Sequence, residues 1–398
     1  MTAMHDRIVT RVSDSELERR WAAVRAGMKK RRIDALVMQN ASDWVGGTVR
    51  WFTDIPATNG YPRTVVFHAG EQMTVVEMGP FGAVRDLAGK DPVHRGVGKA
   101  VCSPSFVSIG QTHTYDADLV VADLKPRGYK TIGLIGPGAL PHALVARLEA
   151  KLGNVRFVDA TDWVDAIKAV KSAEEMDLIK RCAKMQDQVF AKVLEVIKPG
   201  LRDLDVTAAA LAEGQRLGSE QGIFLGASAK VGVRSPFAPR LFQGRKLEKG
   251  DHLSLLIENN GPGGFYTEIA RTIVLGKAST ELKEGFAAVK AAQNYSLSLI
   301  KPGAKPAEIL AAHNAYMKKH GMPPEMRLYA HGQGYCMVER PLIRQDETMP
   351  LAANMNLAVH PGYETASIFA VICDNYLVTD TGVSACLHKT AKKVFEVA

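Results

Sequence analysis

Cysteine is scarce in this chain, and the few residues present are not spaced to act together. Its 398 residues include five, Cys102, Cys182, Cys336, Cys373 and Cys386, an odd number with no CxxC pair. That excludes a disulfide framework and a zinc knuckle and suits a reducing compartment. Runs of like charge are missing as well, so the net charge of +8 is spread over the surface and not gathered into a nucleic-acid-binding stripe. Such a field still helps draw small anions into a cleft. No apolar stretch reaches the ~18 residues of a membrane span, and the polar opening MTAMHDRIVTRVSDSELERR has no signal-peptide core. Short repeats and low-complexity tracts are absent too. The expectation is a cytoplasmic protein that engages neither nucleic acid nor membrane.

What is present fits a globular chain with a substantial core: 46% hydrophobic and 23% charged residues. At about 150 residues per domain the length suggests two domains. SDSELERRWAAVRAGMKKRRI begins with capping residues and continues as a helix. DALVMQ, RTVVFHAG, QMTVVEMG and KTIGLIG read as strands, with PHALVARLEAKLG as a helix between two such runs, so the first half is an α/β layer domain. Ser172 followed by Glu174 and Glu175 marks the start of a long helix, and the boundary is placed just before it, giving domains 1–168 and 169–398. Helices over 205–217, 280–300 and 306–320 then alternate with β-rich runs over 252–257, 266–275, 356–360 and 368–378. The second domain is expected to be α+β around a curved antiparallel sheet.

Residues that can bind metal or move protons gather in three β-rich segments. In GDHLSLLIENNGPGGFYTEIARTIVLG a Gly/Pro turn joins two apolar runs that carry Glu258 and Glu268, and a hairpin would bring these carboxylates together. YAHGQGYCMVERP holds His331 among glycines, where backbone or ligand can approach closely. NLAVHPGYETASIFAVICDNYLVTDTG holds His360, Cys373 and Asp374. A polar residue inside so apolar a run must be paired, metal-bound or on an exposed face, and only one of the neighbours Cys373 and Asp374 can face a given side.

In this order the segments resemble the catalytic domain of the pita-bread superfamily, which includes creatinase, prolidase and aminopeptidase P. The likeness rests on Glu268-Ile-Ala-Arg271-Thr272, His331-Gly332-Gln-Gly334, His360-Pro361-Gly362 and Cys373-Asp374-Asn-Tyr-Leu377-Val378-Thr379-Asp-Thr-Gly382. The opening ERRWAAVRAGMKKRRIDALVMQ and the Lys171-Ser172-Ala-Glu-Glu junction are similar to the superfamily's N-terminal domain and linker. The resemblance implies an α/β N-terminal domain followed by an α+β pita-bread catalytic domain.

It also implies an altered metal site. The second ligand Asp of the family is Glu268, and the first falls at Leu256 or Glu258. The ligand His is His331, a ligand Glu has become His360, and the last ligand Glu aligns with Cys373 or, shifted by one, with Asp374. The positions of Glu268, His331, His360 and Cys373 converge in the family on one of two metals. The expectation is therefore one divalent ion, zinc or iron(II), held by two imidazoles and a carboxylate, with or without the Cys373 thiolate. A metal-free alternative, similar to creatinase, would use His331 and His360 as proton shuttles and Glu258 or Glu268 as base or nucleophile.

The expected activity is hydrolysis of a C–N or other C–heteroatom bond in a small carboxylate-bearing metabolite. The alternatives are β-elimination, as in the superfamily's dimethylsulfoniopropionate lyase, an Xaa-Pro dipeptidase or aminopeptidase, and an inactive binding module. Ectoine hydrolases look similar at the hairpin Glu and at His360. In creatinase-like homodimers N-terminal residues reach the partner's site. The corresponding stretch here holds Trp44, Arg50, Trp51, Tyr61 and Arg63, with arginine as a carboxylate clamp and aromatics as walls. Arg240 and Glu339 complete the candidate substrate-binding set.

Overall fold

The computed structural model of the protein describes residues 10–42, 47–104, 106–109 and 113–398. They form two compact units, Arg11–Lys168 and Ala169–Ala398 with Thr10. No helix among the described residues is long and apolar enough to cross a membrane.

The first unit opens with α1 (Asp14–Arg31), whose N-cap Ser13 accepts the Glu16 N–H at 3.1 Å. Asp14 and Glu16 sit in its first turn and Lys29 to Arg31 in its last, each sign at the dipole end that favours it. There follow β1 (Ala35–Asn40), α2 (Gly47–Thr53), β2 (Arg63–His68), β3 (Met73–Met78), β4 (Val84–Asp86), β5 (Val97–Ser103), α3 (Tyr115–Leu124), β6 (Thr131–Leu134), α4 (His142–Lys151) and β7 (Arg156–Asp159). The strands make one mixed sheet in the order β4-β5-β3-β2-β1-β6-β7. Val37, Val66, Val76 and Leu134 pack with Val120 of α3 and Leu148 of α4, so the apolar face of the sheet lies under helices.

After α5 (Thr161–Ala169) comes α6 (Ala173–Val196), which starts where the capping pattern indicates. Ser172 Oγ accepts the Glu175 N–H at 3.1 Å while the Glu175 carboxylate accepts the Ser172 N–H at 2.8 Å. The second unit continues with α7 (Asp203–Arg216), β8 (Gly222–Lys230), β9 (Asp251–Asn260), β10 (Tyr266–Leu275), α8 (Thr280–Leu299) and α9 (Pro306–Lys319). The chain closes through short strands: β11 (Ala330–Gly332), β12 (Glu339–Leu342), β13 (Asn356–Val359), β14 (Gly362–Glu364), β15 (Phe369–Val371), β16 (Asp374–Leu377) and β17 (Phe395–Val397). Two four-stranded sheets result, β17-β10-β9-β8 and β12-β11-β13-β16, with β14 and β15 as a separate pair.

The β9/β10 hairpin positions the site. Its turn needs positive φ at Gly263 (89°) and Gly264 (87°), which glycine adopts without strain. Every residue of both strands is buried. One face, with Leu253, Leu255, Ile257, Ile269 and Ile273, packs on Met185 and Val189 of α6 and Val206 of α7. The other face carries Leu256, Glu258, Glu268 and Ala270, because alternate residues point the same way.

The run over 368–378 departs from expectation. It is not one strand: Phe369 to Val371 pairs with β14, Asp374 to Leu377 pairs with β13, and between them Cys373 bridges to Ala270 of the hairpin. That bridge, with Ala270 N–H donating to the Cys373 carbonyl at 3.3 Å and the reverse bond at 3.4 Å, joins the two sheets.

Candidate active site

Pairing across the hairpin sets Glu268 directly opposite Glu258. Both side chains are buried, at 3% and 5% exposure. Two carboxyls placed face to face in the interior cannot both stay ionised. Burial first, and then the charge of Glu268, push Glu258 well above the usual carboxylate range. Burial also acts to raise Glu268, but the facing imidazoles of His360 and His331 and a bond to Glu258 hold it down. The pair thus shares one proton, which rests on Glu258.

Around Glu268 the second sheet delivers the remaining groups. His331 on β11 turns Nε2 to 3.8 Å from Glu268 Oε2, and His360, just past β13, brings Nε2 to 3.5 Å from Oε1. The two rings meet edge to face with centroids 5.2 Å apart. His331 Nδ1 lies 2.9 Å from the Gly332 carbonyl oxygen, so Nδ1 carries a proton and Nε2 is the ring nitrogen turned to the carboxylate. Burial lowers His360 to about 4, which makes it a neutral ring at physiological pH. Cys373 is held protonated by burial and by Glu268, and its thiol donates to Glu268 Oε1 at 2.5 Å.

A divalent cation fits this arrangement. One ligand atom each from Glu268, His331 and His360 falls within 4.8 Å of the other two, and His360 Nε2 is buried without a hydrogen-bond partner among the described residues. One carboxylate and two imidazoles are a donor set for a borderline metal such as zinc or iron(II). Beside it the hairpin face turns apolar, with Leu256, Ala270 and the Cys373 side chain flanked by Leu225 and Phe237.

Other candidates lie elsewhere. Asp374 faces away from Glu268: Arg271 donates to its Oδ1 at 2.7 Å and Lys392 Nζ stands 3.4 Å from Oδ2. Those cations overcome the burial penalty and hold its carboxyl well below the usual range. Asp374 does form a second acid/thiol/imidazole group with Cys386 and His388, but Arg271 and Lys392 already neutralise the carboxylate and would repel a metal ion. Asp374 is therefore corrected from ligand to ion-pair partner. Glu339 is likewise a structural group, with Oε2 2.9 Å from Lys171 Nζ and Oε1 accepting the Cys336 N–H at 3.1 Å.

In the first unit Trp51 is a core side chain, 2% exposed, with the Arg20 guanidinium over its ring, and so cannot wall a pocket. Arg63 is bound to Glu77 at 3.0 Å. Arg50 is buried, and Tyr61 packs against Phe106 at 4.6 Å between ring centroids. Trp44 lies outside the described residues. Arg240 is exposed on a one-turn helix, Arg240–Phe242, in the second unit.

The reading from residue pattern missed three buried amides. Gln333 donates to Glu258 Oε1 at 2.9 Å and to Glu268 Oε2 at 3.4 Å. Asn375 donates to Gln333 Oε1 at 2.8 Å, and Asn356 accepts from Asn375 at 3.2 Å. The signal was available, since Asn375 interrupts an apolar strand as plainly as Asp374 does.

The profile of metallopeptidase family M24 matches residues 177–380. The chain belongs to this family, which uses divalent metal ions. It is similar to the probable dipeptidase PepE of Mycobacterium tuberculosis, 26% identical over 58% of this chain and 62% of that protein, so the match spans less than two thirds of the relative. It is also similar to the Xaa-Pro dipeptidase of Pyrococcus furiosus, 25% identical over 67% of this chain and 75% of that one. The X-Pro aminopeptidase structure from Thermotoga maritima superposes with a TM-score of 0.78 at 17% identity, covering 95% of this chain and 99% of that one. That likeness shows the pita-bread fold.

Proposed function

We propose that the protein hydrolyses a C–N bond in a small carboxylate-bearing metabolite at a site for one divalent ion, zinc or iron(II). The observation that carries this reading is the buried, unbonded Nε2 of His360, gathered with His331 and the Glu268 carboxylate. An imidazole nitrogen left without a partner in the interior costs about 1–3 kcal/mol, and a cation on these ligands removes that cost. When bound, the ion supplies Lewis-acid polarisation of the scissile group. Glu258 holds a proton beside the site for the departing nitrogen. Leu256, Ala270, Leu225 and Phe237 keep water from one flank, and their apolar character supports one ion over two. Arg240 is the proposed clamp for the substrate carboxylate.

Metal analysis of the purified protein and of the variants His331→Ala and His360→Ala tests the reading. The expected result is about one zinc or iron per chain, lost in both variants, with hydrolysis of a small amide or amidine acid. Two metal ions together with Xaa-Pro cleavage would restore the dipeptidase activity named for the relatives. Full turnover of a guanidino or cyclic amidine substrate without metal would replace the metal mechanism with a creatinase-like one. Elimination from a dimethylsulfoniopropionate-type substrate would overturn hydrolysis. Light scattering tests the homodimer that the family resemblance implies.

A further inference from the structure

We infer that Gln333, Asn375 and Asn356 form a polarity relay that aims two N–H donors at the Glu258/Glu268 pair and thereby positions the metal-binding carboxylate. The proposal deepens the proposed function and rests on it for the role of the metal. All three amides are buried, at 0%, 0% and 1% exposure, so their donors and acceptors must find partners within the protein.

A side-chain amide can in principle be turned either way, and its orientation has to be argued from its partners. Here two main-chain groups settle it independently. The Glu268 backbone N–H can only donate, and it meets one end of the Asn375 side chain at 2.8 Å, so that end is Oδ1. The Gln333 carbonyl can only accept, and it meets Asn356 at 3.2 Å, so that end of Asn356 is Nδ2. From the first anchor, Asn375 Nδ2 must point toward Gln333 and Asn356. From the second, Asn356 offers Oδ1 to Asn375, which again requires Nδ2 there, 3.2 Å away. Both routes give the same answer. Asn375 Nδ2 therefore donates to Gln333 Oε1 at 2.8 Å, and the remaining end of Gln333 is its NH2.

The two hydrogens of that NH2 are distributed one to each carboxyl, at 2.9 Å to Glu258 and 3.4 Å to Glu268. The anchor of the relay is thus the main chain of the same residue whose side chain it serves. Glu268 is held at Oε2 by Gln333 and at Oε1 by the Cys373 thiol, which leaves its carboxylate a single orientation toward His331 and His360. Outer groups that orient a metal ligand are commonly worth 10- to 100-fold in metal affinity.

Asn375→Asp is the informative change, because it keeps the acceptor for the Glu268 N–H and deletes the donor to Gln333. Gln333 must then turn its NH2 toward the introduced carboxylate and its oxygen toward Glu258 and Glu268. Zinc affinity, measured by chelator competition on wild type, Gln333→Met, Asn375→Asp and the double variant, closes a mutant cycle. Each single variant should bind roughly 10- to 100-fold more weakly, and the double variant should match Gln333→Met within about twofold. Multiplying effects would overturn the relay, as would single variants that bind like wild type. On the metal-free protein, the NMR shifts of the Gln333 side-chain NH2 give a second readout: Asn375→Asp should move them as the group turns from the Glu258/Glu268 pair to the new carboxylate, and unchanged shifts would overturn the relay. If wild type takes up no zinc or iron, the metal reading fails while this amide still decides the relay.

Discussion

Two groups of acid, imidazole and thiol lie back to back in the second unit, and they differ in what neutralises the acid. Glu268 meets His331, His360 and Cys373, none of them a permanent cation, whereas Asp374 meets Arg271 at 2.7 Å and Lys392 at 3.4 Å beside His388. In each group three ligand-type atoms fall within 4.8 Å of one another. Proximity alone therefore does not distinguish them. Charge does: Arg271 spends its donors on Asp374 and on the carbonyls of Ala270, Cys373, Thr390 and Ala391, so that side is complete as it stands. The Glu268 side carries a buried ring nitrogen, His360 Nε2, with no hydrogen-bond partner among the described residues, and of the two groups it is the one that a cation would complete.

The largest expected effect breaks the completed side. Arg271→Met leaves Asp374 buried against a weaker set of partners and should destabilise the protein by about 3–5 kcal/mol in urea unfolding; a loss below about 1 kcal/mol would mean that Lys392 and His388 suffice. The contrast itself is sharpened by paired isosteric changes. Glu268→Gln should abolish zinc uptake, and Asp374→Asn should leave the zinc content of the folded fraction unchanged, both read by metal analysis after gel filtration. Equal loss in the two variants would place a ligand on the Asp374 side.

The smallest effect uses a third acid, in the first unit. Glu77 is neutralised by Arg63, Arg85 and His94, as Asp374 is by its cations. Burial opposes ionisation of Glu77, but these partners prevail and lower it from 4.5 to about 2. A depressed folded-state value adds stability that is present above the unfolded value and is lost as pH falls from about 4.5 toward 2. Glu77→Gln should therefore flatten the acid limb of the stability profile between those values, as followed by circular dichroism. An acid limb unchanged by the substitution would remove Glu77 from the acid response.

Much of the second unit was legible in residue order because its signals are local. Ser172 with Glu175 caps α6 by bonds three residues apart, and Gly263 and Gly264 mark the hairpin turn by their backbone freedom. The Glu258/Glu268 pairing was readable from two strands joined by one turn. The break in the 368–378 run was not, because Cys373 leaves its strand neighbours to bridge Ala270, over a hundred positions earlier in the chain. That Trp51 sits in a core and Arg63 pairs with Glu77 was not legible for the same reason. An aromatic or a guanidinium has the same letter whether it lines a cleft, fills a core or answers Glu77.

What the amino-acid sequence determined by itself was the family, the hairpin, and a short list of candidate ligand side chains, since spacing and residue type carry that information without distant partners. Only the tertiary structure decided between Cys373 and Asp374. Alternation along a strand says that neighbours face opposite ways, but which way each faces depends on Arg271 waiting on one side and Glu268 on the other. The amide relay is a tertiary product too: its polarity follows from a main-chain N–H on β10 and a carbonyl beyond β11, groups that every sequence contains and only a fold brings together.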